Sequence, residues 1–531
     1  MFSRKSSNPL FFIFFFITAI VLHLNTLSSF FLADDFQMIS DVSHRGPFDF
    51  RIFFEHGLFF RPLTLLVFYL DYCIWNTMFF GFHLTNLFLH SVCAFLIAHV
   101  SYYLFRVFHK DSPPPVSVAF YSAFIFLVLP NHAEVVTWIS ARGDSLAAVF
   151  FLTSLLFYLK YKFQDRPSFL IISGFSYFMA LLSKESVVIL PLLIAGIEVC
   201  IYWVGNKKNN LGFLILMVGI TSVYAVIRIL VIGELFGGYP GMLSHQMFNL
   251  SKLPHHLILM LTRVWIPFLP VTSNSVHLFL AVCLMLLVFF FFYLICRKKE
   301  ELIFCIFLLF GAVLSLLPVL KYGVSNYSDD RFLYLSTIFY SLFIAYFFWI
   351  VFKRVFFYHG VCVLSILFLA STLLSINGMN RKMAGEVSKK IMESVGSISE
   401  EGRVFVLNVP CKVRGFHLFT KTVYFEKGLP LFNLNRPSLY FLTHHEVWSN
   451  QDQLEVTPID RKTFDFTWLP ENKDRAPYFV VHESRKAVAR IENDLYLLSR
   501  INDRTYRVFF KNLEFHDKIF YFSQGTLHRL I

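Results

Sequence analysis

Residues 116–162 read VSVAFYSAFIFLVLPNHAEVVTWISARGDSLAAVFFLTSLLFYLKYK. Two apolar runs flank one short polar stretch, and the second run ends on Lys160 and Lys162. A helix needs about 20 apolar residues to cross a bilayer, and cations gather at its cytoplasmic end. The stretch therefore reads as two membrane spans joined by a tight loop on the outer side. The same alternation recurs through the first 376 residues. The whole chain agrees with it: of 531 residues, 56% are hydrophobic, only 15% are charged, and 68 are Phe. Its mean hydropathy is +0.59. Such figures exclude one soluble globular enzyme and an ordinary disordered chain. They also exclude a nucleic-acid partner, although the net charge is +12; a membrane protein explains that charge better, because Lys and Arg gather in cytoplasmic loops.

Working outward, candidate spans fall at 9–31, 82–105, 116–130, 145–161, 168–183, 187–204, 211–232, 276–296, 302–320, 332–352 and 356–376. The first has Arg4 and Lys5 before it, like a signal peptide, but its apolar run is too long and no small-x-small site follows. It reads as a retained span. With the N-terminus inside, the compact basic clusters (Arg106 and Lys110; Lys160, Lys162 and Arg166; Lys207 and Lys208; Arg297 to Lys299; Lys353 and Arg354) all fall in cytoplasmic loops. The outer loops then hold 12 of the 17 acids before residue 377, among them Asp34, Asp35, Glu134, Asp144, Glu185, Asp329 and Asp330. Counting 61–77 as a twelfth span would turn the clusters at Arg106, Lys160 and Lys207 outward. That segment carries Arg61 and Asp71 and reads instead as a helix lying at the outer interface, as does 253–271. The expectation is an all-α polytopic membrane protein of about 11 transmembrane helices plus interfacial helices, with its C-terminal region outside.

Residues 377–531 are denser in charge and form a second domain beside 1–376. VFVLN at 404–408 reads as a strand. Phe416, Phe419 and Val423 recur at helical spacing, with Gly428 as the C-cap. Runs at 464–468, 478–481, 505–510 and 518–522 read as further strands. The class is a small extracytoplasmic α+β domain. Seven of the eight Cys lie in apolar stretches, and Cys411 is the sole Cys of this region, so it holds no internal disulfide.

Polar chemistry recurs at the outer ends of the spans. Asp34-Asp35 follows the first span at once. Two adjacent carboxylates at a membrane edge can supply a general base and its partner or a metal ligand; solvated loop charge is the plain alternative. The 130–144 loop brings together His132, Glu134, Arg142 and Asp144. His132 and Glu134 could bind a divalent metal such as Mg or Mn, though two ligands do not make a site. Arg142 offers a fork of donors suited to phosphate, or it caps a tight turn. Lys184 and Glu185 sit between two apolar stretches, as a structural pair or with Lys184 set against a lipid phosphate. Arg331, in NYSDDRFLYL, is a third cation for phosphate or an interfacial anchor. Arg263 lies in an apolar helix and needs a partner or an anionic ligand. Arg228 and Glu198 fall inside spans and are given no role. There is no phosphate-cradling Gly-rich loop and no CxxC pair.

The order of these motifs resembles the multi-spanning glycosyltransferases of the GT-C fold, above all the O-mannosyltransferases that carry tetratricopeptide repeats and their bacterial relatives. Those proteins have an acidic pair in the first outer loop, matched by Asp34-Asp35. An RPL segment and a GFHxxNxxLH stretch are matched by Arg61-Pro62-Leu63 and by Gly81 to Asn86 with Leu89-His90. Their HPxHxEAVxWIxxRAD loop resembles LPNHAEVVTWISARGD at Pro130, His132, Glu134, Trp138, Arg142 and Asp144. LxSKE matches Leu182 to Glu185, and ERxLYLPS resembles DRFLYLST at Asp330 to Thr337. The likeness covers roughly residues 30–340. It departs at Leu129, which replaces a His, at Asp330, which replaces Glu, and in lacking the repeats.

The resemblance implies transfer of mannose or a similar hexose from a polyprenyl-phosphate donor to a protein, lipid or polysaccharide acceptor, with inversion, on the extracytoplasmic side. It implies a multi-pass protein of a bacterial inner membrane, or of the ER membrane in a eukaryote, in contact with membrane lipids. Asp34 or Asp35 would be the base. Arg142, Lys184, Arg263 and Arg331 would hold the donor phosphate, and His132, Glu134, Asp144 and Glu185 would orient the acceptor or a metal. The rivals are a polytopic transporter or lipid flippase, and a scaffold of the same fold without catalysis. Transporters usually show paired halves with sites near the midplane; here the charges crowd one face and the halves do not repeat.

Overall fold

The computed structural model describes residues 8–45, 49, 59–109, 113–203, 210–233, 253–266, 283, 286–287, 290, 299–322, 329–351, 356–398, 402–414, 416–419, 423–434, 438–447, 453–469, 480–481, 490–502, 504–524 and 526–531. Most of the expected span at 276–296 lies outside these, as do the basic clusters at Lys207-Lys208 and Lys353-Arg354. The chain divides into two compact units. The first takes residues 1–24, 47–70 and 82–376, and the second takes 25–46, 71–81 and 377–531.

The first unit is helical. Among the described residues six helices are long and apolar enough to cross a membrane: Phe79–Phe108, Ile139–Gln164, Glu185–Trp203, Leu211–Ile232, Lys299–Leu320 and Asp330–Val351. The pair Val116–Val128 and Pro130–Thr137, bent by 54° at its break, makes a seventh if counted as one span. Asn8–Leu22, Pro62–Trp75 and Ser168–Ser183 are shorter apolar helices. The chain is thus a multi-pass membrane protein, with six or seven full-length spans among the described residues. The helix at Asn8–Leu22 gives way to a 3-10 turn at Leu24–Ser28, so the apolar run 9–31 is not one helix. Leu253–Trp265 is helical, as expected of 253–271.

The two charged groups given no role from the sequence are both bonded, and an unpaired one in hydrocarbon would cost several kcal/mol. Glu198 accepts from Lys162 at 2.8 Å and also from the Tyr158 hydroxyl. Arg228 reaches the hydroxyl of Tyr224, one helical turn away.

The second unit contains two sheets. The central strand of the first, Arg403–Val413, lies between Lys518–Ser523 and Ser438–Val447, parallel to both. Val404, Phe405, Val406 and Leu407 are all buried. A strand covered on both faces reads as a continuous apolar run, which is why VFVLN announced itself. The other sheet is antiparallel, in the order Gln453–Pro458, Thr463–Leu469, Thr505–Phe510, Tyr496–Arg500, Arg490–Glu492. In Thr463–Leu469 the buried residues alternate: Phe464, Phe466 and Trp468. One expectation fails here. The helix is Val423–Leu431, with Phe416-His417 in a strand, and Gly428 lies inside it. Gly428 serves close approach, because a Cβ there would sit 2.7 Å from Met392 and 2.9 Å from Phe36.

Candidate active site

In the first unit, the polar motifs prove to be one another's partners. Arg61, just before the Pro62–Trp75 helix, grips Glu185 through Nε at 3.0 Å and Nη2 at 2.7 Å. Lys184 Nζ donates to both oxygens of Asp144, at 2.6 and 2.5 Å. Arg331 donates from its backbone N and from Nη1 to Glu134, at 2.9 and 2.6 Å. Arg263 forks onto Asp330 at 3.0 and 2.6 Å. Lys184 and Glu185, adjacent in sequence, therefore pair with separate partners and not with each other. Arg263 has the partner its apolar surroundings demanded, and Arg331 is held by Glu134 in place of snorkelling.

Packing brings three of these pairs together. The Phe332 ring has the Arg331 guanidinium 4.8 Å from its centroid and the Lys184 ammonium 5.7 Å away. Arg331 also lies over Trp138, at 4.8 Å. Gly143 permits the close fit beneath: a Cβ there would lie 3.3 Å from Thr64 Oγ1, and that hydroxyl donates to the Ser183 carbonyl at 2.9 Å. Burial pushes the Lys184 ammonium below the usual lysine range, while the Asp144 carboxylate pulls it back up.

Arg142 is enclosed completely. Its Nε donates to Asn86 Oδ1 at 3.2 Å, its Nη2 to the Phe82 carbonyl at 3.1 Å, and it stacks over Phe68 at 4.2 Å. Asn86 in turn donates to the Trp138 carbonyl. His132 is directed elsewhere from Glu134: its Nε2 meets the Thr337 hydroxyl at 2.6 Å, while Glu134 serves Arg331. His90 Nδ1 meets the Tyr334 hydroxyl at 2.7 Å. The two members of the expected His132–Glu134 ligand pair thus have different partners. Among the described residues no group of three or more His, Cys, Asp or Glu is placed to hold a metal ion.

In the second unit, the acidic pair opens the Asp34–Ser43 helix. Ala33 before it has φ 48° and ψ −120°, a conformation that a residue with a Cβ rarely adopts. The strain makes a sharp turn from the Leu24–Ser28 segment into the helix and sets both carboxylates in its first turn, where backbone N–H groups favour negative charge. The two acids then differ. Asp35 is fully buried; its Oδ2 accepts the Leu32 N–H at 3.0 Å and lies 3.9 Å from Arg381 Nη2. Asp34 is half-buried, and its Oδ1 accepts from the Tyr424 hydroxyl at 2.5 Å. Three members of these clusters are not among the residues the sequence points to: Arg61 stands out only as a charge in the 61–77 segment and its RPL motif, and Arg381 and Tyr424 lie in a region without a motif.

No protein-family model matches the chain. Protein O-mannosyl-transferase Tmtc1 of Drosophila melanogaster is 31% identical over 206 residues, 36% of this chain and 23% of its own length. The chain has relatives among the protein O-mannosyl-transferases. TMTC4 of Homo sapiens is 36% identical over 109 residues, covering 19% of this chain and 14% of its own. TMTC3 of Mus musculus is 30% identical over 146 residues, covering 27% and 14%. The chain thus spans about a quarter or less of the length of these relatives. Among solved structures, ArnT from Cupriavidus metallidurans bound to undecaprenyl phosphate gives a TM-score of 0.40 at 11% identity, over 82% of this chain and 86% of that one. The Archaeoglobus fulgidus oligosaccharyltransferase gives 0.37 at 13%, over 75% and 60%. Likenesses this loose establish nothing further about the chain.

Proposed function

We propose that the protein is a membrane glycosyltransferase of GT-C architecture that moves mannose or a similar hexose from a polyprenyl phosphate to an acceptor hydroxyl, with inversion. The observation that carries this reading is the Asp34 carboxylate, half-buried in the first turn of its helix with one oxygen held by a hydroxyl. Asp34 takes the proton of the acceptor hydroxyl. That oxygen forms a bond to the anomeric carbon as the bond from that carbon to the donor phosphate breaks. A single displacement inverts the carbon, and the polyprenyl phosphate leaves with one more negative charge. Asp35, buried and committed to a backbone N–H, holds the turn.

The leaving phosphate needs cations, which gain most where charge develops in the transition state. Arg331 and Lys184, flanking Phe332, suit this role, with Arg61 beside them. Arg331 and Arg61 keep side-chain exposures of 18% and 25%, enough to meet a ligand, while Lys184, buried at 8%, adds its charge from beside Phe332 without direct contact. Arg263 and Arg142 are enclosed, and we assign them to anchoring Asp330 and the 130–144 loop respectively. Glu134, Asp144 and Glu185 then orient cations, and His132 fixes its loop to Thr337.

Purified protein given labelled polyprenyl-phosphate mannose and a serine- and threonine-rich peptide should yield mannosylated peptide of inverted configuration and free polyprenyl phosphate. Intact donor moved between vesicle leaflets would establish the flippase, and bound but unchanged donor the scaffold.

Orientation follows from the charge asymmetry. A reporter fused after residue 376 should be active only outside the cytoplasm, and one after Lys208 only inside. The same side for both fusions overturns this arrangement.

A further inference from the structure

We infer that Tyr424, far from the acidic pair in sequence, is a positioning residue for the Asp34 carboxylate, so that the C-terminal region supplies part of the reaction machinery as well as any acceptor recognition. The inference rests on the reading of Asp34 as base and extends it to a residue that no motif marks.

The Tyr424 side chain is buried, 3% exposed, and its hydroxyl donates to Asp34 Oδ1 at 2.5 Å. Among the described residues no other donor reaches that carboxylate. A carboxylate in the first turn of a helix can rotate about its side-chain bonds. One hydrogen bond from a rigid phenol fixes it, because Tyr has few rotatable bonds and its ring is packed. With Oδ1 held, Oδ2 is the atom left to accept a proton from an incoming hydroxyl. The phenol only donates in this arrangement, so it does not compete for that proton.

The surroundings hold the pair in register. Phe36, on the Asp34–Ser43 helix, stacks on Phe419 with ring centroids 5.9 Å apart. Phe419 in turn meets Phe425 at 4.1 Å. Gly428 lets the Val423–Leu431 helix approach Phe36 closely. At the far end of the contact, Lys427 pairs with Asp41 at 3.0 Å. The Phe packing and this ion pair would suffice to dock the two helices. The buried phenol aimed at the reactive carboxylate adds something docking does not need. A general base must lie within hydrogen-bond reach of the proton it takes, and a misplacement of about 1 Å can cost about 10²-fold in rate.

The test is a double-variant cycle on mannose transfer from polyprenyl-phosphate mannose to the serine- and threonine-rich peptide, expressed per folded molecule. Tyr424→Phe keeps the ring and removes only the hydroxyl. It should lower kcat by about 10-fold or more and leave KM for the donor unchanged. In an Asp34→Asn background the same change should cost nothing further, because the hydroxyl acts only through that carboxylate. Lys427→Met, which loosens the same helix contact without touching Asp34, should keep kcat. Full activity in Tyr424→Phe, an equal loss in both backgrounds, or a loss of folded protein in Tyr424→Phe each overturns the positioning role while the base stands. Full activity in Asp34→Asn removes the base, and the role of Tyr424 with it.

Discussion

Asp34→Asn is expected to lower transfer by about 10²-fold or more, while the protein remains folded and extractable in detergent at the usual yield. Asp35→Asn should behave in the opposite way. Its carboxylate caps the Leu32 N–H and faces the buried guanidinium of Arg381, so removing the charge should weaken the turn and lower thermal stability, with little change in turnover per folded molecule. On the proposed mechanism, two neighbouring acids of the same type should separate into a chemical and a structural one, because one is fully enclosed and the other is not. The comparison needs thermal unfolding in detergent beside specific activity. Equal specific activity in both variants and the parent would take the pair out of the mechanism.

The second large effect is expected at Lys184. Lys184→Ala leaves Asp144 buried without its partner, a loss of about 3–5 kcal/mol for an ion pair of this kind. Loss of activity in that variant alone would therefore be ambiguous. Replacing both partners resolves it, since a buried pair exchanged for apolar groups of similar size is often neutral or stabilising. The double variant Lys184→Met with Asp144→Leu should recover stability yet stay about 10²-fold or more down in turnover, the scale of losing one group that stabilises transition-state charge. A cation that only braces the loop predicts recovery of both. Arg331→Ala, beside the same phenylalanine, should lose turnover on the same scale. Arg142→Lys should do otherwise: its enclosed fork is bonded to Asn86 and the Phe82 carbonyl, so stability falls and turnover per folded molecule survives.

The membrane class was legible in the residues because apolar length is a local property, and so was the buried strand at 404–408. The polar pairs were not. Each motif was visible as a string, but its partner lies far away: Asn86 to Arg142 spans 56 residues, and His132 to Thr337 spans 205. Spacing along the chain cannot reveal which carboxylate meets which cation, so Lys184 and Glu185 looked like a pair when each was bonded elsewhere. Gly428 misled for a different reason. A glycine after a helical pattern signals a C-cap by its backbone freedom, yet here its missing side chain makes room for Phe36. Gln453–Pro458 presents no apolar run, and the run Leu439 to Leu442 in Ser438–Val447 stops at the polar stretch Thr443 to Glu446.

The second unit draws on 25–46 and 71–81 as well as on the C-terminal region, and this bears on the order of events at the ribosome. Ser29 donates to the Arg381 carbonyl across 352 residues, and Tyr424 reaches Asp34 across 390. At about 5–20 residues per second, the first loop emerges and waits roughly 20–80 s before the chain that braces it exists. Through that interval its two carboxylates stand without their phenol and guanidinium. A nascent or prematurely ended chain would therefore insert its early spans while still lacking a braced base, and competence for transfer would arrive only as the last third of the chain is completed.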